Sequence, residues 1–205
     1  MLNKLQEIIL VAGRSNELAD TWRDLFRDQW MVTVRMGDIC SIECDAIVSP
    51  ANSFGFMDGG LDIALSRRFG WGVQKRLQAL IADSPLGELL VGDALVVPTD
   101  DARVKWIVSA PTMRVPMPLK NTVAPYLAMR AALIAIDRHA GNPAITSVAI
   151  PGLGTGTGGV DPKIAAAQMW AAFREHWVEK SNFPKSWEEA LRNQNALTSE
   201  PHNRI

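Results

Sequence analysis

Cysteine is scarce in this chain of 205 residues, and no stretch of it resembles a membrane span. Two cysteines, Cys40 and Cys44, are too few to build a disulfide framework. No apolar run approaches the roughly 20 residues that cross a bilayer, and no charged-then-apolar leader opens the chain. These absences argue against a disulfide-stapled secreted scaffold and a membrane-inserted protein, so we expect a cytoplasmic location.

Neither sign of charge dominates, because 21 lysines and arginines face 22 acidic residues, for a net formal charge of −1. Such a balance gives no electrostatic reason to hold bulk nucleic acid or an anionic membrane surface. The three histidines are scattered, and no second cysteine pair completes a metal-ligand pattern. We therefore expect neither a metal nor a cofactor, and any nucleotide ligand must be held by groups gathered locally.

Apolar segments of β type alternate with helical segments along the chain. Strands are predicted at residues 7–12, 31–36, 45–48, 93–98, 106–110 and 147–150. Helices are predicted after residue 15, over residues 61–81 with a break around 69–72, and at residues 122–139 and 162–177. This alternation predicts an α/β fold with a mixed, largely parallel sheet, helices on both faces, and a ligand site beyond the carboxyl ends of the strands.

The composition changes near residue 178. Residues 1–178 have the apolar periodicity of one folded domain, whereas residues 179–205 are mostly polar. Within that polar segment, Trp187 and Leu191 lie four residues apart, as on one side of a helix. We expect a short helix that packs on the domain through these two side chains, followed by a frayed tail.

The densest glycine segment of the chain spans residues 150–159, Ile-Pro-Gly-Leu-Gly-Thr-Gly-Thr-Gly-Gly, between a strand and a helix that begins near Pro162. Glycine lets backbone amides approach an anion closely, and the helix N-terminus after it would add to the attraction. No lysine follows the last glycine, as a Walker loop requires, and the segment is too late in the chain for a dinucleotide fingerprint. It predicts a diphosphate cradle; the alternative is a merely flexible loop.

A second segment follows the strand at residues 45–48. Asn52 offers a donor and an acceptor to a sugar hydroxyl, and Gly59 and Gly60 open a helix whose first turn contains Asp62. The alternative is structural, with Asn52 as a turn former and Asp62 as a complement to the helix dipole. Two aromatic residues nearby, Phe54 and Phe56, are either a wall of the site or core anchors of the loop.

A third segment, Gly37-Asp38-Ile39, follows the strand at residues 31–36. With these three segments in this order, the chain resembles the macro domain family over residues 32–173, and members of that family bind ADP-ribose and related metabolites. The resemblance implies a three-layer α/β/α fold, in which Asp38 binds the adenine amine beside Ile39 and both glycine loops enclose the diphosphate. Asn52 would face the distal ribose, and Asp62 matches the acidic position that hydrolytic members use there.

The resemblance assigns the site residue by residue. The catalytic positions it implies are Asp62 and Asn52. The ligand-binding positions it implies are Asp38, Ile39, Ser49, Ala51, Asn52, Gly59, Gly60, Gly152, Gly154, Thr155, Gly156, Thr157, Gly158, Gly159 and Val160. Residues 111–118 follow another strand and are expected to form a rim, where Arg114 either reaches a phosphate or faces solvent.

Two departures from the family pattern leave the function open. Hydrolytic members commonly carry asparagine where this chain has Ser49, and an aromatic residue where it has Gly158 and Val160. One hypothesis is a hydrolase that removes ADP-ribose from a modified macromolecule, deacylates an acylated ADP-ribose, or dephosphorylates the distal ribose. A second is a non-catalytic module that recognises ADP-ribose, free or attached to a macromolecule. A third is a pocket for another nucleotide, such as a fragment of NAD.

Overall fold

A computed structural model describes residues 5–179 and 183–199. Its centre is a six-stranded sheet in the order β2-β1-β6-β3-β5-β4, in which every neighbouring pair is parallel except β5 and β4. The strands are β1 (Glu7–Val11), β2 (Val32–Arg35), β3 (Ala46–Ser49), β4 (Leu95–Pro98), β5 (Trp106–Ser109) and β6 (Ser147–Pro151). The predicted mixed, largely parallel sheet is confirmed.

In the described part of the chain, six α-helices connect the strands or follow them. They are α1 (Asn16–Leu25), α2 (Gly60–Phe69), α3 (Gly72–Ala82), α4 (Ala124–Arg138), α5 (Pro162–Phe173) and α6 (Trp187–Thr198). The predicted break between α2 and α3 occurs at Gly70, which has a φ of +81° and ends α2. This φ suits glycine because it has no Cβ.

Alternate residues of the central strands supply two separate cores. In β1, Ile8 and Leu10 pack with α1, α4 and α5, while Ile9 and Val11 pack with α2 and α3 on the other face. Successive strand side chains point to opposite faces, so a strand buried on both faces is continuously apolar. The result is the predicted three-layer α/β/α fold.

The C-terminal helices depart from the expected packing. After α5, a π-helix at Arg174–Val178 carries Trp177, whose ring lies 5.1 Å from that of Phe173 in the core. Helix α6 contacts α5, but the expected anchors are wrong, since Trp187 is 77% and Leu191 48% exposed. The partly buried positions are on a different side of the helix, at Ala190 and Leu197 among others.

Helix α6 extends to Thr198, through the polar residues that follow Leu191. The predicted tail beyond residue 199 lies outside the described residues. Among residues 5–179 and 183–199, none of the helices has the length and apolar character needed to cross a membrane.

Five strands run in the same direction, so the loops that follow them open at one edge of the sheet. In spatial order these are the loops after β2, β1, β6, β3 and β5. The three segments singled out in the sequence follow β2, β3 and β6, so the sheet brings them to the same edge.

Candidate ligand-binding site

A cavity of about 800 Å³ opens at this edge of the sheet. Its volume is in the range of pockets that hold nucleotide-sized ligands. Thirteen of the predicted site positions line it: Asp38, Ile39, Ala51, Asn52, Gly59, Gly60, Asp62, Gly152, Gly154, Thr155, Gly156, Thr157 and Gly158. Three predicted positions, Ser49, Gly159 and Val160, are not on its surface.

The glycine loop after β6 is a tight turn, in which the amide of Gly159 donates to the carbonyl of Gly156 at 2.9 Å and the amide of Val160 donates to the carbonyl of Gly154 at 3.1 Å. A Cβ at Gly158 would lie 2.6 Å from the carbonyl oxygen of Gly154, so the backbone packs too closely there for a side chain. A Cβ at Gly156 would meet nothing within 4 Å. Within the described part of the chain, the amides of Gly156 and Thr157 donate no hydrogen bond. The loop therefore combines a rigid base with amides that are available to an anion.

Helix α5, which follows this loop, does not add the anion-binding N-terminus expected from the sequence. The Asp161 carboxylate accepts hydrogen bonds from the amides of Lys163 at 2.9 Å and Ile164 at 3.3 Å. These are the amides that an anion would otherwise use. Val160, next to this cap, is buried in a small apolar cluster with Leu119, which explains why it is absent from the cavity.

Helix α2, on the other side of the cavity, has an open N-terminus. Gly59 is its N-cap and provides no side-chain hydrogen bond, so the first amides of the helix lack a protein cap. Gly59 and Gly60 both line the cavity, and neither would bring a Cβ within 4 Å of another atom. The helix end that is free to bind a diphosphate therefore belongs to α2.

Asp62 lies in the first turn of α2 and is only 6% exposed. The hydroxyl of Ser49, at the end of β3, donates a hydrogen bond to its Oδ1 atom. Burial raises the pKa of Asp62 to about 6, the Ser49 hydrogen bond opposes this shift, and the charge of Asp58 adds to it. A carboxyl that titrates near neutral pH is suited to proton transfer.

This geometry gives Ser49 a structural contact within the site. In β3, Ile47 faces the layer of α2 and α3, and Ser49 shares that face because it is two residues further along the strand. Its side chain is 1% exposed and hydrogen-bonded to Asp62, and a direct contact of Ser49 with a ligand stays a prediction. Ser49 thus holds the carboxyl of Asp62 in place.

The Asn52 side chain lines the cavity but bonds its own loop. Its Nδ2 donates to the carbonyl of Phe56 at 2.8 Å, and its Oδ1 accepts from the amides of Phe54 at 3.1 Å and Phe56 at 3.3 Å. This is the turn-forming role that the sequence left as the alternative. The role of Asn52 toward a distal ribose stays a prediction, with one amide hydrogen still available for it.

The two aromatic residues of this loop have different positions. Phe56 is 54% exposed and lines the cavity, as a wall residue would. Phe54 does not line it; its ring lies under the guanidinium of Arg114, whose carbon is 4.9 Å from the ring centroid. Arg114 also pairs with Glu88 at 2.7 Å, so it is held away from the cavity rather than reaching a phosphate.

The rim segment after β5 closes the same end of the cavity. Asn52 and Met113 form a short parallel bridge, and the amide of Ser53 donates to the carbonyl of Arg114 at 3.2 Å. These contacts bring Met113 and Pro116 onto the cavity wall. The expected rim is therefore present.

Asp38 and Ile39 line the opposite end. The Asp38 carboxylate accepts a hydrogen bond from the amide of Cys40 at 2.9 Å and caps a short 3-10 helix, Ile39–Ser41. Asp38 is exposed, whereas Ile39 is buried. Both positions suit the edge of a base, although their contact with adenine stays a prediction.

Sequence reasoning missed the loop after β1. Val11, Gly13 and Arg14 line the cavity, and the Gly37 amide donates to the carbonyl of Gly13 at 2.8 Å. Of the described lysines and arginines, Arg14 is the one on the cavity surface. The signal available in the sequence was a glycine directly after an apolar strand, but only the pairing of β1 with β6 places that loop at the site.

Neither Cys40 nor Cys44 lines the cavity. Burial raises the pKa of Cys44 to about 11, and burial also raises the pKa of Cys40, followed by the charge of Asp38. Both are therefore thiols rather than thiolate nucleophiles at neutral pH. Across residues 5–179 and 183–199, no cluster of three or more His, Cys, Asp or Glu side chains could hold a metal ion.

The chain shows four similarities to known proteins and protein families. A protein-family model described as Macro domain matches residues 48–169. An uncharacterized protein of Aquifex aeolicus is 33% identical over 144 residues, which cover 70% of this chain and 81% of that protein. A Mycobacterium bovis protein named DNA ADP-ribosyl glycohydrolase is 29% identical over 149 residues, which cover 71% of this chain and 39% of that protein. The structure of the macrodomain of Mycobacterium tuberculosis DarG is 26% identical, with a TM-score of 0.59 and coverage of 71% of this chain and 91% of that one.

Proposed function

The chain belongs to the macro domain family, and from that premise we propose that it binds ADP-ribose in the cavity and hydrolyses a bond at the distal ribose of an ADP-ribose derivative. The observation that carries the catalytic half is the buried Asp62 carboxyl, held by Ser49 at the cavity wall. The substrate is free or attached to a macromolecule. A cytoplasmic location stays a prediction.

The order of the loops along the sheet supports the binding half. The uncapped amides of α2 and the free amides of Gly156 and Thr157 lie on the two loops that flank the middle of the cavity. A diphosphate in the middle accepts hydrogen bonds from both. The adenosine then extends toward Asp38 and Ile39, and the distal ribose toward Asn52 and Asp62.

Asp62 supports the catalytic half through its protonation. With a pKa of about 6, it is mainly a carboxylate at pH 7 and becomes a neutral acid after it gains one proton. As a base it takes a proton from water; the water oxygen forms the new bond, and the leaving group departs with the electron pair of the old one. The Ser49 hydroxyl holds Oδ1, which leaves Oδ2 for this exchange. The name of the Mycobacterium bovis relative, DNA ADP-ribosyl glycohydrolase, is consistent with such a hydrolysis.

A non-catalytic reader is the second candidate. It is favoured by the side chain of Asn52, whose oxygen accepts two loop hydrogen bonds and is thus less free to orient a substrate. A reader needs the cavity and its amides but no titrating carboxyl.

The test combines calorimetry with ADP-ribose and chromatographic assay of ADP-ribose release from a panel of conjugates. We expect one binding site in the wild type, and at least about a 100-fold loss of turnover in Asp62→Asn, which still binds ADP-ribose. Asp28→Asn, an exposed change away from the cavity, is the matched control.

Three results separate the candidates. No binding at millimolar ADP-ribose rejects the whole proposal. Binding without release from any conjugate favours the reader. Undiminished turnover in Asp62→Asn removes that residue from the mechanism.

A further inference from the structure

The charged residues of the cavity are separated along its length. Among the described residues, four charged side chains line it: Arg14, Asp38, Asp58 and Asp62. Arg14 and Asp38 follow β1 and β2, on one side of the β6 loop, while Asp58 and Asp62 follow β3 on the other side. The end of the cavity after β3, which we call the acidic end, therefore has two carboxyl groups and no lining lysine or arginine in the described part of the chain.

An aromatic and apolar wall faces the same acidic end. Phe56, Met113 and Pro116 line the cavity there, and Phe56 is 54% exposed. The Phe56 backbone is held at its amide and at its carbonyl by the Asn52 side chain, at 3.3 Å and 2.8 Å. The aromatic ring is thus carried by a loop that is ordered before any ligand arrives.

The nearest cation of the rim does not offset these carboxyls. Arg114 is paired with Glu88 at 2.7 Å and stacked on Phe54, and it is not on the cavity surface. A phosphate monoester or a free carboxylate at the acidic end would meet like charge without a basic partner. A flat cation with delocalised charge would meet opposite charge and an aromatic face.

From this arrangement we propose that the acidic end is a subsite for a planar, delocalised cation joined to the distal ribose of an ADP-ribosyl ligand. The proposal rests on the proposed function, because the diphosphate must lie in the middle of the cavity to direct one end of the ligand there. Two sources share this chemistry: the pyridinium ring of intact NAD⁺ and the guanidinium of an ADP-ribosylated arginine. The subsite selects against ligands whose distal group is anionic.

The first arm of the test compares NAD⁺ with NADH by calorimetry. The two ligands differ at the nicotinamide ring, which is a planar cation in NAD⁺ and neutral in NADH. We expect NAD⁺ to bind about fivefold more tightly, the magnitude of a partly solvated cation–π contact together with an exposed charge pair. The second arm compares one peptide that carries ADP-ribose on arginine with the same peptide modified on serine, and the same preference is expected if arginine is the source.

Two variants connect the preference to the subsite. Phe56→Leu keeps an apolar side chain without the aromatic face, and Asp58→Asn keeps the shape without the charge. Each variant should bring the ratio of the two affinities close to one. Asp28→Asn, outside the cavity, should leave it at the wild-type value.

A preference in either arm that both variants reduce supports the subsite and identifies the source. Equal affinities in both arms overturn it, as does a preference that Asp58→Asn leaves unchanged. ADP-ribose alone is titrated in parallel: if it binds while no preference is seen, this inference fails and the proposed function stands. If ADP-ribose does not bind, the proposed function itself has failed.

Discussion

Two of the glycine-containing loops at the cavity, those after β6 and β3, each lead into a helix, and they differ in how the helix begins. After β6, the loop is tight and Asp161 caps the first amides of α5. After β3, Gly59 leaves the first amides of α2 without a cap. The first amides of α5 are hydrogen-bonded by Asp161, so only the loop before α5 can bind an anion. The first amides of α2 are available to a ligand. Two similar sequence patterns therefore lead to one helix N-terminus that is capped and one that can bind an anion.

The largest expected effect comes from the open position of the β6 loop. Gly156→Trp would project an indole into the cavity, so we expect at least about a 100-fold loss of affinity for ADP-ribose by calorimetry. The melting temperature should change little, because nothing lies within 4 Å of a Cβ at this position.

Gly158→Ala in the same loop is the matched variant. Its Cβ would lie 2.6 Å from a backbone oxygen, so it should destabilise the fold by about 1–3 kcal/mol. If Gly156→Trp binds normally, the loop does not form the cradle.

The next effect concerns the β3 side and is a dependence of stability on pH. Asp62 has a pKa of about 6 in the folded protein against an ordinary value of 3.8 for an aspartate. Folding favours the neutral form of Asp62. The contribution of this carboxyl to stability is therefore complete below the unfolded pKa of 3.8 and is lost as the pH rises through the folded pKa of about 6. The free energy of unfolding of Asp62→Asn, relative to that of the wild type, should therefore rise by on the order of 2–3 kcal/mol between about pH 4 and about pH 7.

Urea unfolding at a series of pH values measures that difference. A constant difference between the two proteins across the range would mean that Asp62 titrates normally. In the wild type, turnover should rise with pH and reach half its maximum near pH 6, because the carboxylate is the active form.

A smaller effect is expected when α2 is given the cap that α5 already has. Gly59 has a φ of −137° and open space around it, so Gly59→Asp fits without strain. The new carboxylate would accept from the first amides of α2, stabilise the helix by a few tenths of a kcal/mol, and compete with the diphosphate, which lowers affinity about tenfold. Thermal unfolding and calorimetry measure the two changes, and an unchanged affinity would show that the α2 amides do not bind the ligand.

The smallest effect is the reverse change in α5. Asp161→Ala removes a cap and should cost about 1 kcal/mol of stability. Affinity for ADP-ribose should stay within about twofold, because Asp161 does not line the cavity. A large gain in affinity would indicate that Asp161 blocks the N-terminus of α5 from the ligand. Both helix N-termini would then be able to bind the diphosphate.

The parts of this fold that follow from local patterns were predictable, while those that depend on register were not. The alternating strands and helices follow from periodicity and the loop at Gly152 from glycine spacing, whereas the role of Asp38 came from the family resemblance. Arg14 was missed because only the pairing of β1 with β6 brings its loop to the cavity. Ser49 received its ligand-binding role from the family resemblance, and its contact with Asp62 could not be predicted because the sequence does not reveal which face of β3 meets α2.

Two other errors arose from competing local signals. The Asp161-Pro162 pair is a recognisable helix start, but the preceding glycines suggested an anion at the same amides. Trp187 and Leu191 are large and correctly spaced for one side of a helix, yet α6 presents another side to α5. Hydrophobicity identifies a helix side that can pack, and the partner surface determines which side does.

The hydrogen bonds that Asn52 makes to its own loop also affect the time course of binding. A loop already closed on itself need not rearrange before a ligand enters, so association should follow a single exponential whose rate increases linearly with ligand concentration. Differences in affinity among ligands of this cavity would then arise mainly in how long each one stays bound.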